Sequence, residues 1–278
     1  MNALGGKTAL ITGATGAIAT ASAIALARDG AHVVLMGRRA EGLAACVAAI
    51  RTSVPDAKLD TVTGDGLDES AVKVALAHAH GLEGHLDIIV STVGGGGFKP
   101  LLMLEAQEMR AEFEANTMSA FLAIRHGAPL MERGGSIICI SSTAATMPFG
   151  YLAAYHVGKA ALEALVRAAA EELGSAGIRV NAVRPGMTRA RDTAAMFDSP
   201  DVIATFMPEY PLGRLGEPAD IAGAVRFLAG QDSGWMTGQS FAVDGGNELR
   251  RNPDLTPMVQ AMLGAETVKA LKAGKEPK

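Results

Sequence analysis

Aromatic side chains make up only 4% of this 278-residue sequence, tryptophan occurs once and cysteine twice. Cys46 and Cys139 stand far apart, each in an apolar segment, so no disulfide framework of a small secreted domain is present. Both are expected as reduced core residues, which implies a reducing compartment. No apolar run reaches membrane-spanning length, and the opening stretch from Met1 to Lys7 lacks the layout of a secretory signal. A cytoplasmic location without a membrane partner is the expectation. An excess of one charge is lacking too: 25 Lys and Arg face 29 Asp and Glu, a formal net charge of −4. That balance gives no electrostatic footprint for nucleic acid or an anionic membrane. The six histidines do not cluster. His78 and His80 are two apart on an expected helix and so share no face; His156 reads as a bystander, and no metal site is expected.

What is abundant is alanine, glycine and aliphatic residues, the composition of close helix-on-sheet packing. Short β-branched runs at 8–12, 32–36, 58–63, 86–91, 136–141, 178–183 and 240–243 alternate with helical patterns at 17–28, 41–53, 69–80, 106–125, 151–173 and 218–229. Near-continuous apolar strands separated by helices predict a parallel seven-stranded sheet covered on both faces. Right-handed crossovers make it a doubly wound, Rossmann-type α/β/α sandwich. No linker or repeat interrupts residues 1–249, which read as one cofactor-binding and catalytic domain. Residues 188–214 break the rhythm with Met196, Phe197, Ile203, Phe206, Met207 and Tyr210, the composition of a substrate lid. Residues 250–278 form an extension, with a short helix signalled at Thr256-Pro257. A frayed end is the default for such a tail.

Three residues carry the chemistry. Ser142 precedes Tyr155 by thirteen positions, and Lys159 follows four later, one helical turn on. An ammonium beside a phenol favours the phenolate, making a proton donor and acceptor usable near neutral pH. Carbonyl reduction or alcohol oxidation needs such a group. Upstream, the first strand runs through Thr12, Gly13, Thr15, Gly16, Ala17 and Ile18 straight into a helix, where backbone N–H groups and the helix dipole favour a pyrophosphate. After the second strand come Gly37, Arg38 and Arg39, with no acid for a ribose hydroxyl and two guanidinium groups for a 2′-phosphate. NADP(H) is therefore favoured, with NAD(H) as the alternative.

As a set these residues resemble the short-chain dehydrogenase/reductase family over about residues 5–248. The resemblance implies a serine, tyrosine and lysine catalytic set at Ser142, Tyr155 and Lys159, and a helix asparagine at Asn116 that holds a proton-relay water. It implies an adenine contact at Asp65 beside Gly66, and nicotinamide-side contacts at Pro185, Gly186 and Thr188. Tyr155 and Lys159 would also touch the cofactor. Two of three family glycines in the phosphate loop are here Ala17 and Ala19, and the family's Asn-Asn-Ala-Gly becomes Ser91, Thr92, Val93 and Gly94. Short hydroxyl side chains thus stand where amides tie the sheet. Gly95 and Gly96 continue an unusual run of four glycines, expected as a mobile wall beside the substrate. Met147, Phe149, Met196 and Phe197 are expected to line an apolar pocket, which points to an apolar or cyclic substrate. The resemblance further implies a small-molecule alcohol or ketone as substrate. It also implies a homo-oligomer, a tetramer or dimer, in which the tail is expected to help close a neighbour's cleft. The alternatives are a 3-oxoacyl-thioester reductase, an NAD-dependent alcohol dehydrogenase, and a cofactor-sensing protein without catalysis.

Overall fold

The computed structural model describes residues 2–191 and 193–276. Seven strands form one parallel sheet: β1 (Thr8–Thr12), β2 (His32–Gly37), β3 (Leu59–Thr63), β4 (Ile88–Ser91), β5 (Gly135–Ile140), β6 (Ile178–Pro185) and β7 (Ser240–Val243). Their order is β3-β2-β1-β4-β5-β6-β7. The strand order reverses direction between β1 and β4, which opens a crevice at the carboxyl ends of those strands.

Alternation along β1 assigns the two faces. Ala9 and Ile11 point to a layer formed by α1 (Ala17–Arg28), α2 (Ala40–Ser53) and a later helix over Pro218–Ala229. Leu10 points the other way, to α3 (Glu69–Glu83) and to helices over Ser119–Gly127 and Ala153–Leu173. Both faces are covered, as the unbroken apolar strands require. Cys46 and Cys139 are free and buried, one in each layer; burial pushes the Cys139 thiol up to about 12. Among the described residues, no helix is long and apolar enough to cross a membrane.

The expected helix over 106–125 is not continuous. It is α4 (Ala106–Phe113), then a π turn at Glu114–Met118, then α5 (Ser119–Gly127). A π turn inserts one extra residue into the helix, and the apolar residues on either side of it read as one continuous helical run. Asn116 sits inside it, fully buried. The helix expected from residue 151 begins at Ala153 as α6 (Ala153–Leu173), because Tyr151 adopts φ 69. That left-handed conformation is uncommon for an aromatic residue. The turn it makes carries the phenol to within 3.3 Å of Thr256 Oγ1.

Beyond β6, residues 188–214, the segment expected as a lid, contain α7 (Ala194–Phe197) and α8 (Pro200–Phe206), and α9 (Pro218–Ala229) follows. Through residue 276 the tail is folded, not frayed. It folds into α10 (Thr256–Leu263) and α11 (Ala265–Lys272), with Leu255, Val259 and Val268 buried. Each such side chain contributes about 1.5–3 kcal/mol by leaving water. Asn252 Nδ2 donates to the Met147 carbonyl at 2.9 Å. Within the chain, the tail thus contacts the lid and the loop after Ser142.

Candidate active site

The first turns of α6 set the centre of the site. Lys159 is 4% exposed, and its Nζ donates to the Ile140 carbonyl, the last residue of β5, at 2.7 Å. The same Nζ lies 5.8 Å from the centroid of the Tyr155 ring. Burial lowers its pKa to about 8, while the carboxylates of Glu112 and Glu163 pull the other way. Glu163 is itself occupied, accepting from Ser141 Oγ at 2.8 Å and Ser240 Oγ at 2.7 Å. Ser142 follows β5 in an extended conformation and caps the short turn Thr143–Ala145, its Oγ accepting from Ala144 N at 3.1 Å. His156, expected to be idle, bonds through Nδ1 to the Ala144 carbonyl. It ties the Ser142 turn to the helix carrying Tyr155, a tertiary contact with no signature in the sequence.

Across from α6, the glycine loop is pinned, where its composition predicts mobility. Asn116 Oδ1 accepts from Gly95 N at 3.1 Å, and Asn116 Nδ2 donates to the Gly95 carbonyl at 2.8 Å and the Glu112 carbonyl at 2.9 Å. The side-chain amide is therefore committed to the loop and to α4. Thr117 Oγ1 donates to the Gly158 carbonyl at 2.8 Å, fixing the π turn against α6. Gly96 lies directly on the catalytic candidate: a Cβ added there would stand 2.6 Å from Tyr155 Cβ and 2.7 Å from its ring. No side chain fits between that backbone and Tyr155.

The cofactor end fits a pyrophosphate on this chain's own geometry. Gly13 has φ 65, and a Cβ there would meet Thr92 Oγ1 at 2.8 Å. Gly16 opens α1 without a side-chain cap and no acid occupies the first turn, so the positive helix end faces the loop. The substituted residues fit as well. Ala19 is 1% exposed, its methyl packed in the core rather than toward the loop. Thr92 Oγ1 donates to the Thr12 carbonyl at 2.6 Å, tying β4 to the phosphate turn where the family uses an amide. Val93 packs on Gly66, and Asp65 Oδ1 accepts from Leu67 N at 3.0 Å. Arg38 and Arg39 are exposed beyond Gly37. Gly186 abuts the Asp244 backbone, and Thr188 Oγ1 donates to the Gly186 carbonyl at 2.9 Å, bracing the lid's first turn.

The end expected to take the substrate is apolar. Phe206, Tyr210 and Leu255 form a small core to which Phe149, Met187, Met196 and Met258 pack. The rings of Phe149 and Phe206 stack with centroids 6.4 Å apart. Tyr210 Oη accepts from Met187 N at 2.7 Å, and burial raises its phenol to about 12. Phe197 departs from expectation. It lies buried beneath the Arg189 guanidinium, 4.5 Å from carbon to ring centroid, and outside this cluster. A four-residue helix turns Met196 and Phe197 to different sides, which adjacency in sequence conceals. Tyr151 joins Phe149 in the cluster, while Phe98, Leu255 and Met258 join it without a signal in the sequence.

A family model described as "Enoyl-(Acyl carrier protein) reductase" matches residues 13–248. The chain is 34% identical over 255 residues to an L-rhamnose 1-dehydrogenase (NAD(P)(+)) of Sphingomonas sp. (strain SKA58), covering 88% of this chain and 98% of that one. It is likewise 34% identical over 255 residues to a 7alpha-hydroxysteroid dehydrogenase of Clostridium sardiniense, covering 90% of this chain and 96% of that one. Among solved structures, a short-chain type dehydrogenase/reductase from Mycobacterium ulcerans aligns with a TM-score of 0.92 at 30% identity, over 96% of this chain and 98% of that one.

Proposed function

Because the chain belongs to the short-chain dehydrogenase/reductase family, we propose that it is an NADP(H)-dependent oxidoreductase interconverting an apolar or cyclic secondary alcohol and its ketone. The observation that carries this reading is the buried Lys159 ammonium beside Tyr155 at the end of β5. A nicotinamide, when bound, supplies or takes the hydride. The Gly13–Gly16 turn and the amino end of α1 would hold its pyrophosphate, Asp65 and Val93 its adenine side, and Gly186 with Thr188 its nicotinamide side.

Tyr155 gives its proton to the carbonyl oxygen in reduction and takes it back in oxidation. Lys159 stabilises the phenolate by charge. Ser142 Oγ accepts from Ala144 N, an arrangement that leaves its hydroxyl proton to donate to the substrate oxygen. Asn116 has its side-chain amide on Gly95, so we assign it to positioning the loop; a relay water would have to use other atoms of the π turn.

Support for NADP(H) is local. Gly37 ends β2 where an acid would sit, and a Cβ there would already be 3.2 Å from Leu43 and 3.4 Å from Thr15. Arg38 and Arg39, exposed just beyond, offer bidentate phosphate contacts. Support for an apolar substrate is the Phe149–Phe206 cluster under the lid. A second reading is reduction of the 3-oxo group of an acyl-carrier thioester, and the acyl-carrier substrate in the description of the matching family model supports it. Self-association into a dimer or tetramer is part of the main reading.

The test is calorimetric titration with NADPH and NADH side by side, followed by NADPH oxidation with a panel of cyclic ketones and a 3-oxoacyl-carrier thioester, and NADP+ reduction with a free sugar. Tighter binding of NADPH and turnover of cyclic ketones are expected. Tighter binding of NADH would overturn the cofactor assignment, and turnover confined to the thioester would establish the second reading instead.

A further inference from the structure

Glu112 has no part in the chemistry above. It sits half-buried on the last turn of α4, four residues before Asn116. Its Oε1 accepts from Gly97 N at 3.0 Å, and its Oε2 lies 3.4 Å from Asn116 Nδ2. Since Asn116 binds Gly95 on both its N–H and its carbonyl, the loop is pinned on either side of Gly96. Gly96 is the residue whose backbone rests on Tyr155. The loop also reaches Lys159: a Cβ at Gly94 would stand 2.5 Å from Asn116 Oδ1 and 3.0 Å from Lys159 Nζ. One helix face thus carries both pins of a backbone segment that touches the tyrosine and the lysine together.

Electrostatics couples the outer pin to the centre. Burial raises the Glu112 carboxyl above its ordinary value, against the opposing pull of the Gly97 N–H and the Lys159 charge. Reciprocally, Glu112 favours the Lys159 ammonium that burial opposes. The other charged groups nearby have their own partners. On α4, Glu108 binds Lys99 at 2.6 Å. On α6, Glu163 binds Ser141 and Ser240, and His156 binds the Ala144 carbonyl. A loop needing only a shape could be held by a neutral amide. A carboxylate in this half-buried place costs desolvation and is offset by what it does for a neighbouring cation.

We propose that Glu112 is a positioning residue for proton transfer, its carboxylate latching the glycine loop over Tyr155 and Lys159 through Gly97. This rests on the reading that Tyr155 and Lys159 move the substrate proton. The role belongs to the residue pair Glu112 and Asn116, four apart, acting on two backbone N–H groups of one loop.

Glu112→Gln separates the two parts of the role, because the amide oxygen still accepts from Gly97 while the charge is gone. Removing a negative charge lowers the pKa of every group coupled to it. The limb of the kcat/KM profile set by Tyr155 and Lys159 therefore moves to lower pH, by about half a unit or more, with Tm and NADPH affinity unchanged. Glu112→Ala also loses the latch, and kcat falls about tenfold or more while KM changes little. A readout independent of turnover is the amide of Gly97 in protein labelled with 15N-glycine: it titrates with Glu112 in the parent protein, above the usual carboxylate range, and not in Glu112→Gln. A Glu112→Gln profile that superimposes on the parent, or a Gly97 amide that does not titrate, overturns the proposal. Should the parent protein turn over no alcohol or ketone, the oxidoreductase reading fails, and the Gly97 titration still decides for or against the latch.

Discussion

The two ends of the cleft are built by different means. At the proton-transfer end, Tyr155 and Lys159 meet backbone: the Ile140 carbonyl, Gly96, and a loop held by Asn116 and Glu112. At the end proposed for the substrate, Phe149, Phe206, Met196 and Met258 join one side-chain cluster, and the tail is tied by Arg251 to Glu209 and by Asn252 to the Met147 carbonyl. Backbone contacts leave no room for substitution, whereas side-chain clusters repack. The contrast explains how one scaffold can keep a fixed reaction and vary its substrate. Relatives acting on a rhamnose and on a hydroxysteroid, equally similar to this chain, are in keeping with it.

The largest break in that comparison should come from Lys159→Met. Hydride transfer is expected to fall by about a thousandfold or more. Yet the fold should gain about 1–4 kcal/mol at neutral pH, since a buried charge is replaced by an apolar chain of similar length. The pH dependence gives the sign. Folded Lys159 releases its proton near pH 8, against an ordinary 10.5. Between those values the unfolded chain holds the extra proton, so stability of the parent rises with pH across that window. The destabilisation is complete below it. Urea unfolding between about pH 7 and the ordinary lysine value should show the rise in the parent and its absence in the variant.

Next comes a pair of glycines. Gly96→Ala places a methyl 2.6 Å from Tyr155, while a Cβ at Gly97 meets nothing within 4 Å. Steady-state kinetics should show a loss of about a hundredfold in kcat for the first and almost none for the second. Equal effects would mean that the loop does not position Tyr155.

The substrate end should yield more gently. Phe206→Ala removes one of the stacked rings and is expected to cost about tenfold in kcat/KM with an apolar cyclic ketone, leaving kcat with a small ketone nearly unchanged. An effect of similar size, confined to binding of one cofactor, is expected at the far end of the cofactor. Arg38→Ala should weaken NADPH about tenfold by calorimetry and leave NADH binding as it was.

Much of this architecture is legible in the amino-acid sequence. β7 and the helices α1 and α9 follow directly from apolar runs bounded by glycine, proline and charged residues, and the parallel sheet from alternation with helices. Tyr155 and Lys159 declare their shared face by spacing. What stays hidden lies in contacts between segments distant in sequence. The π turn at Glu114–Met118 lies inside a stretch that reads as one helix. Thr92 takes over an amide's tie by a hydroxyl bond that only the packed strands reveal. His156, beside Tyr155 but turned to the Ala144 carbonyl, has no pattern to announce it. Composition groups Phe197 with Met196, and the lid's short helix separates them. The tail's docking rests on Leu255 and Met258 finding a surface built by lid and loop together.

The central claim is that Tyr155 transfers the substrate proton from a site that binds the cofactor independently. Its most direct test is Tyr155→Phe, with NADPH affinity by calorimetry and NADPH oxidation on a cyclic ketone measured on the same preparation. The account predicts unchanged cofactor affinity and turnover reduced by about a thousandfold or more. A phenylalanine variant that keeps most of its kcat would contradict it.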